Sequence, residues 1–412
     1  MIHNLEEAPD RLTFAQAQWT FPEGVTFLNH GSFGPTPRSV LEVRERLLRE
    51  QASNPMDFFL RKLEPLLEDA AEQMGRLVGC SGDNLIFVPN ATAGMNIVAE
   101  NVALAAGDEV LLTDHEYGAV VRIWGQACQQ VGAKTVLARL PLPLDSKEEL
   151  LDSLFEKVTP RTRLLVVSHI TSPTAILFPV REICERARQQ GLMVAIDGPH
   201  ALGMVEIDLN SIPCDFYAVS GHKWLSGPYG SGFLYVRSRH KQGLRPNVIS
   251  WGRSVAGRAP SWKDEFHWPG TFDPTPYLAL PAALDLLKQY GLPRFRAETH
   301  TLCRLARQQL LTIPGSAALS TDSMDWYGSM VTVELPVRDD RTNLVQSHPL
   351  QKWLWEQHQI EVPIVRWREK THIRTSCHLY NRISQYEKLV AAVQEWIERD
   401  QKSPSIADEK CL

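Results

Sequence analysis

The sequence has no apolar run approaching the roughly 20 residues that a bilayer-crossing helix requires, which argues against an integral helical membrane protein. It has no surplus of positive charge: 43 Lys and Arg stand against 48 Asp and Glu, a net charge of −5. Nothing neutralises a phosphate backbone, and nucleic acid is not expected as a main partner. Seven cysteines (Cys80, Cys128, Cys184, Cys214, Cys303, Cys377, Cys411) include no Cys-x-x-Cys pair, so neither structural disulfides nor a zinc site is expected in a chain of 412 residues. The acidic start, Met1 to Glu7, lacks an apolar segment followed by small residues, so no secretory signal is expected and the cytoplasm is the expected compartment. There is no internal repeat, no low-complexity tract and no Gly-x-Ser-x-Gly elbow, and His115-Glu116 and the other histidines lack metal-ligand spacing. No metal is expected.

What the chain does have is alternation. After Pro35-Thr36-Pro37 a helical pattern runs to about Ala52, and a second from Asp57 to about Val78 sets Leu60, Leu63, Leu66, Leu67 and Met74 on one stripe. From Leu85 onward, seven short apolar runs (85–88, 110–112, 135–140, 163–169, 192–197, 216–220 and 232–237) alternate with amphipathic stretches. Strands apolar on both faces and separated by helices predict an α/β fold with a mostly parallel, doubly wound, seven-stranded sheet. Past Pro276 the order changes to a long helical stretch over 277–312, the strand SMVTVELP, a helix near 346–358, the strand-like HIRTSCHLY and a helix over 383–399. The expected division is a large α/β domain, 31–275, and a smaller α+β domain built from 1–30 and 276–412, with a frayed tail after Gln401.

Ligands of open α/β sheets bind beyond the carboxyl ends of strands, so the residues following the apolar runs carry the chemistry. These are Asp197-Gly198-Pro199-His200, Ser220-Gly221-His222-Lys223-Trp224, Pro89-Asn90-Ala91-Thr92 and Ser168-His169-Ile170-Thr171-Ser172. A lysine flanked by Ser, His and Gly after a buried strand becomes a nucleophile toward carbonyls when its surroundings lower its pKa. A strand-end Asp able to hold a pyridine nitrogen protonated is the other half of pyridoxal 5'-phosphate (PLP) catalysis. Asn90-Ala91-Thr92, between a strand and a helix, suits a phosphate through its backbone amides, and an N-cap alone would explain it equally well. The glycine-rich Gly227 to Gly232 leads into a strand rather than a helix, so it is no dinucleotide fingerprint and reads as a turn beneath the cofactor.

IDGPH followed by VSGHKW resembles the signature of the class V aminotransferase group of fold-type I PLP enzymes. The resemblance extends through FLNHGSFGPTP, NPMDFF, VPNATAGMN, TDHEYGA, PGTFDP and HIRTSCHLYN, and is most similar to the isopenicillin N epimerase-like branch. It implies Lys223 as the internal aldimine lysine and Asp197 as the partner of the pyridinium nitrogen. It implies the 31–275 domain as the PLP-binding one, with phosphate donors from Asn90, Ala91, Thr92, Ser220 and His222. Thr271 would come from a second subunit, making a homodimer with shared active sites. His200 stands where the group usually has a glutamine reaching the ring's phenolic oxygen, Tyr117 where many members stack a histidine, and Ser172 where related enzymes carry an asparagine. As a bare residue, Tyr117 would read as core packing. Arg374 matches the arginine that grips the substrate α-carboxylate, with Asn29 and His30 as further substrate contacts.

The cofactor does not choose the reaction; the grip on carboxylate and side chain does. Cysteine desulfurases of this group carry a cysteine on a mobile loop, and the corresponding IVRWREKTHIR has none, so persulfide-forming chemistry is not expected. The leading expectation is an isopenicillin N epimerase-like enzyme acting at the Cα of an amino acid. A carbon–sulfur β-lyase acting on a cysteine or cystine-type substrate and an aminotransferase are the rivals, and a non-catalytic PLP-fold binding protein is the alternative from another class.

Overall fold

Seven strands between Leu85 and Val236 hydrogen-bond into one sheet in the computed structural model, which describes residues 9–338 and 347–402. Their spatial order is Leu85–Val88, Gly232–Val236, Phe216–Ser220, Met193–Asp197, Thr162–Ser168, Glu109–Thr113 and Lys134–Ala138. Gly232–Val236 runs against both of its neighbours and the other strands share one direction, so the expected α/β class with a mostly parallel sheet is the one adopted. Alternate side chains part into two cores: Leu111, Leu165, Val167, Ile196 and Val219 on one face, Val110, Leu112, Leu164, Val166 and Ala195 on the other. Helices Ala91–Asn101 and Gly118–Val131 cover the second face with Met95, Val98 and Trp124, and Val180–Gln189 covers the first with Ile183 and Cys184. Each large apolar side chain so buried stabilises the fold by about 1.5–3 kcal/mol. The parallel register sets Ser168 beside Asp197, and Asp197 beside Ala218, which brings the carboxyl ends of three strands level.

A separate four-stranded antiparallel sheet has the order Ile364–Trp367, Lys370–Ser376, Met330–Glu334 and Ala317–Ala318. The N-terminal segment joins this region: Thr26–Phe27 pairs in parallel with Ile360–Glu361, and the Ser376 amide donates to the Leu28 carbonyl at 2.9 Å. The helical stretch expected over 277–312 is divided into three helices, Thr275–Leu278, Leu280–Tyr290 and Leu292–Leu310. Gly291, at φ 96°, stops the second, and Pro293 starts the third without needing an amide partner. The helix expected from Asp57 carries a π turn over Phe58–Lys62 before continuing as Leu63–Leu77. The strand in HIRTSCHLY ends at Ser376, so Cys377 lies just beyond it, fully buried, its amide bonded to the Ser329 carbonyl at 2.8 Å. The tail expected to fray lies outside the described residues from 403 onward. Among the described residues no helix is long and apolar enough to cross a membrane.

Candidate active site

Lys223 follows the strand Phe216–Ser220 on a tightly folded loop in which the Gly221 amide donates to the Ser231 carbonyl (2.7 Å), Gly227 to Gly221 (2.8 Å) and Ser226 to Lys223 (2.8 Å). The glycine-rich segment therefore turns straight back into the strand Gly232–Val236. Lys223 Nζ lies 3.1 Å from His200 Nε2, and the indole N–H of Trp224 donates to His200 Nδ1 at 3.4 Å. An Nδ1 that accepts leaves the imidazole proton on Nε2, so Nε2–H donates to the amine, which must then offer a lone pair. Burial and Arg374 push the Lys223 amine below its ordinary range, while Asp197 opposes them. The hydrogen-bond pattern and the electrostatics thus agree on a nucleophilic lysine.

Asp197, 3% exposed, closes the neighbouring strand Met193–Asp197; burial pushes its carboxyl up and Lys223 pulls it back. Behind it lies a residue that sequence reasoning passed over. Glu116 is buried, with its carboxyl accepting from Thr113 Oγ1 and Ser168 Oγ, both at 2.6 Å. Burial raises it to about 8, with Asp197 adding to the rise against the two hydroxyls. It was quoted within TDHEYGA but nothing local marks a buried acid.

At the start of the helix Ala91–Asn101, Asn90 Oδ1 caps the Ala93 amide at 2.9 Å and Ser220 Oγ accepts from the Ala91 amide at 3.0 Å. The N-cap alternative for Asn90 is therefore realised, and it leaves the Thr92 N–H facing outward as a remaining donor among the described residues. His222 Nδ1 is buried without a partner, its ring 5.7 Å from that of Tyr229. Ser220 thus meets the start of the helix Ala91–Asn101, an end whose free amides and dipole favour negative charge.

Arg374 arrives from the other sheet, on the strand Lys370–Ser376. Its Nη1 donates to the Ser172 carbonyl at 2.5 Å and to Ser172 Oγ at 3.1 Å, its Nη2 to Ser32 Oγ at 2.8 Å, and its Nε is buried without a partner. Burial lowers the guanidinium to about 10, and Tyr117 counters this. Tyr117 itself is 47% exposed at the N-cap of the helix Gly118–Val131, so the core-packing alternative for it is overturned: a residue opening a helix at a cleft edge has no core to enter. Ser172 is placed against Arg374. His30 is fully buried with both ring nitrogens engaged, and Asn29, 8% exposed, donates to Glu361 Oε1 at 3.3 Å. Thr271 is exposed on its own chain, with no side-chain hydrogen bond to this cluster among the described residues. Ser32 was the other missed residue; it sits inside LNHGSFG, the motif already singled out.

Residues 27–389 match the family model for class V aminotransferases. The chain belongs to the class V aminotransferase family. It is 35% identical over 396 residues to an isopenicillin N epimerase of Amycolatopsis lactamdurans, covering 92% of this chain and 97% of that protein. It is 26% identical over 411 residues to a probable chloroplastic L-cysteine desulfhydrase of Arabidopsis thaliana, covering 92% and 84%. Among solved structures, the fold is shared with the cystine C-S lyase C-DES (TM-score 0.77, 22% identity, 90% and 98% covered). It is also shared with the cysteine desulfurase CsdA of Escherichia coli (TM-score 0.76, 23% identity, 94% and 98% covered). Members of this family are PLP enzymes, and so is this chain. Its residues fit the cofactor: an amine lowered by burial, a buried strand-end acid and an orphaned imidazole nitrogen beside a helix N-terminus are what an aldehyde, a pyridine nitrogen and a phosphate would each require.

Proposed function

We propose that the chain acts at the Cα of an amino acid as an isopenicillin N epimerase-like enzyme, through Lys223, Asp197 and Arg374. The observation that carries this reading is the 35% identity extending over nearly the full length of both chains, together with the convergence of those three side chains from two sheets. PLP, when bound, supplies an electrophilic aldehyde and an electron sink for the pair released at Cα. Lys223 would offer its neutral amine to that aldehyde and move a proton on one face of Cα, and inversion takes a second proton-transfer group on the opposite face. Asp197 would offer a carboxylate to a protonated ring nitrogen, and Asn90, Ala91, Thr92, Ser220 and His222 would hold the phosphate. Tyr117 would stack on the ring, and His200 would donate to its phenolic oxygen. Arg374, with two hydroxyls fixing its plane and Nε still free, grips the α-carboxylate.

Thr271, exposed on this chain, would complete the phosphate site of a partner subunit, so the working unit is a homodimer with shared sites. The cytoplasm is its compartment. The division at 275/276, with 1–30 joining the C-terminal part, is supported by the pairing of Thr26–Phe27 with Ile360–Glu361. A second reading, β-elimination of a carbon–sulfur bond, is favoured by the cysteine desulfhydrase relatives, which align over most of this chain. Product analysis in deuterated water separates the two. Label at Cα with no keto product is expected of the epimerase; pyruvate with released thiol would replace that reading by the lyase.

A further inference from the structure

The reactive lysine and the carboxylate-binding arginine belong to different sheets, and one short turn touches both. His30 Nε2 lies 3.0 Å from the Lys223 carbonyl, and His30 Nδ1 lies 2.7 Å from Tyr380 Oη. A carbonyl only accepts, so the proton sits on Nε2 and Tyr380 donates to Nδ1; the ring is locked in one tautomer and one orientation. It is further held by stacking on His378, centroid to centroid 4.0 Å at 13°. The next residue, Gly31, donates its amide to Ser376 Oγ at 3.0 Å, two positions from Arg374 on the same strand. Ser32 then accepts from Arg374 Nη2 at 2.8 Å.

The approach is close enough to require glycine. A Cβ on Gly34 would stand 2.7 Å from His30 Nε2 and 2.8 Å from the His222 carbonyl, and one on Gly31 would stand 2.6 Å from Met330 Sδ and 3.5 Å from His200 Cε1. The turn is thus pressed between the lysine loop and the strand bearing Arg374, with no room for either to drift.

We infer that His30 and Ser32 are positioning residues that fix the Lys223 loop and the Arg374 guanidinium relative to one another, and neither touches the substrate. The inference rests on the proposed roles of Lys223 and Arg374. Stereoelectronic choice at Cα depends on where the carboxylate is held with respect to the amine, and the turn sets that relation.

The test uses the PLP-loaded enzyme with glycine, the smallest α-amino acid, as probe, and variants His30→Leu, His30→Gln, Ser32→Ala and Ser32→Thr beside Lys223→Ala and Arg374→Ala. Two quantities are read: the pH midpoint of the yellow chromophore, and the glycine concentration that half-saturates its spectral change. Apoenzyme circular dichroism and melting are followed in parallel. Ser32→Ala is expected to raise the half-saturating concentration roughly tenfold with an unmoved chromophore midpoint, and Ser32→Thr to restore it. His30→Leu is expected to move the midpoint by about one pH unit, and His30→Gln, which keeps an N–H donor, to bring it back. Should His30→Leu fail to fold, the Ser32 pair and His30→Gln still decide the matter. Variants that fold yet leave both quantities at wild-type values overturn the inference, as does a loss in melting temperature with no shift in either quantity. Failure of the underlying roles would look different: Lys223→Ala, freed of all amino acids, would keep the wild-type chromophore and its pH midpoint, or Arg374→Ala would leave glycine binding unchanged.

Discussion

The site has two halves that the chain makes in different ways. Asp197 and Ser220 end adjacent strands of one sheet and are placed by register, and Lys223 follows three residues later on the folded loop. Arg374, Ser32 and Ser172 come from three separate segments, with Arg374 and Ser32 lying 342 positions apart. On the proposed function, the first half is the part that makes and breaks bonds, and the second is the part that decides how the substrate lies. Separating them on different elements lets one be varied without disturbing the other, which is how a single cofactor scaffold supports several outcomes.

That division predicts different kinetic signatures. Asp197→Ala, in the first half, should lower kcat by roughly 10²- to 10³-fold while partly retaining the cofactor, measured by steady-state rates and absorbance of the bound chromophore. An unchanged kcat would show that the carboxylate stands elsewhere. Arg374→Lys, in the second half, keeps the charge but loses the planar fork. It should raise KM by roughly 10- to 100-fold with a smaller effect on kcat, and an equal fall in both constants would erase the distinction drawn above.

A third effect, spread over several pH units, concerns stability. Glu116 has a folded pKa of about 8 against an ordinary 4.5, so the buried acid form contributes its full stability below about 4.5 and that contribution is lost as the pH rises toward 8. Glu116→Gln cannot ionise. Its stability relative to the parent should therefore climb between about pH 5 and pH 8, by no more than ~1.4 kcal/mol per unit, in urea denaturation. A difference that stays flat across that range would mean the carboxyl is ionised throughout.

The same division explains what could be read from the sequence. Apolar runs buried on both faces announce a parallel sheet, and polar residues at their ends announce where chemistry collects, so Lys223, Asp197 and the Asn90 cap are visible before any coordinates. Arg374 is visible through its flanking motif. The bonds from Arg374 to Ser32 and Ser172, and from His30 to Lys223, are not, because long-range docking leaves no local period. The helical stretch expected over 277–312 is there, but its break at Gly291 was not legible, since a single residue with positive φ interrupts apolar periodicity on both sides. Glu116 was hidden for a related reason: an acid three residues from Thr113 reads as solvated until Ser168, from another strand, closes over it.

One feature of the small sheet bears on sulfur. Ile364–Trp367 and Lys370–Ser376 are joined by Arg368 and Glu369 alone, both at positive φ, and the hairpin is tied down by Trp367 and Arg368 to Asp114. Where a desulfurase would swing a thiol inward, this chain has a rigid two-residue tip without one. The cysteines of the described residues are buried, Cys80 only in part. Were a carbon–sulfur bond cut beside this tip, no thiol on the tip would take the sulfur, which would then depart as a diffusible product.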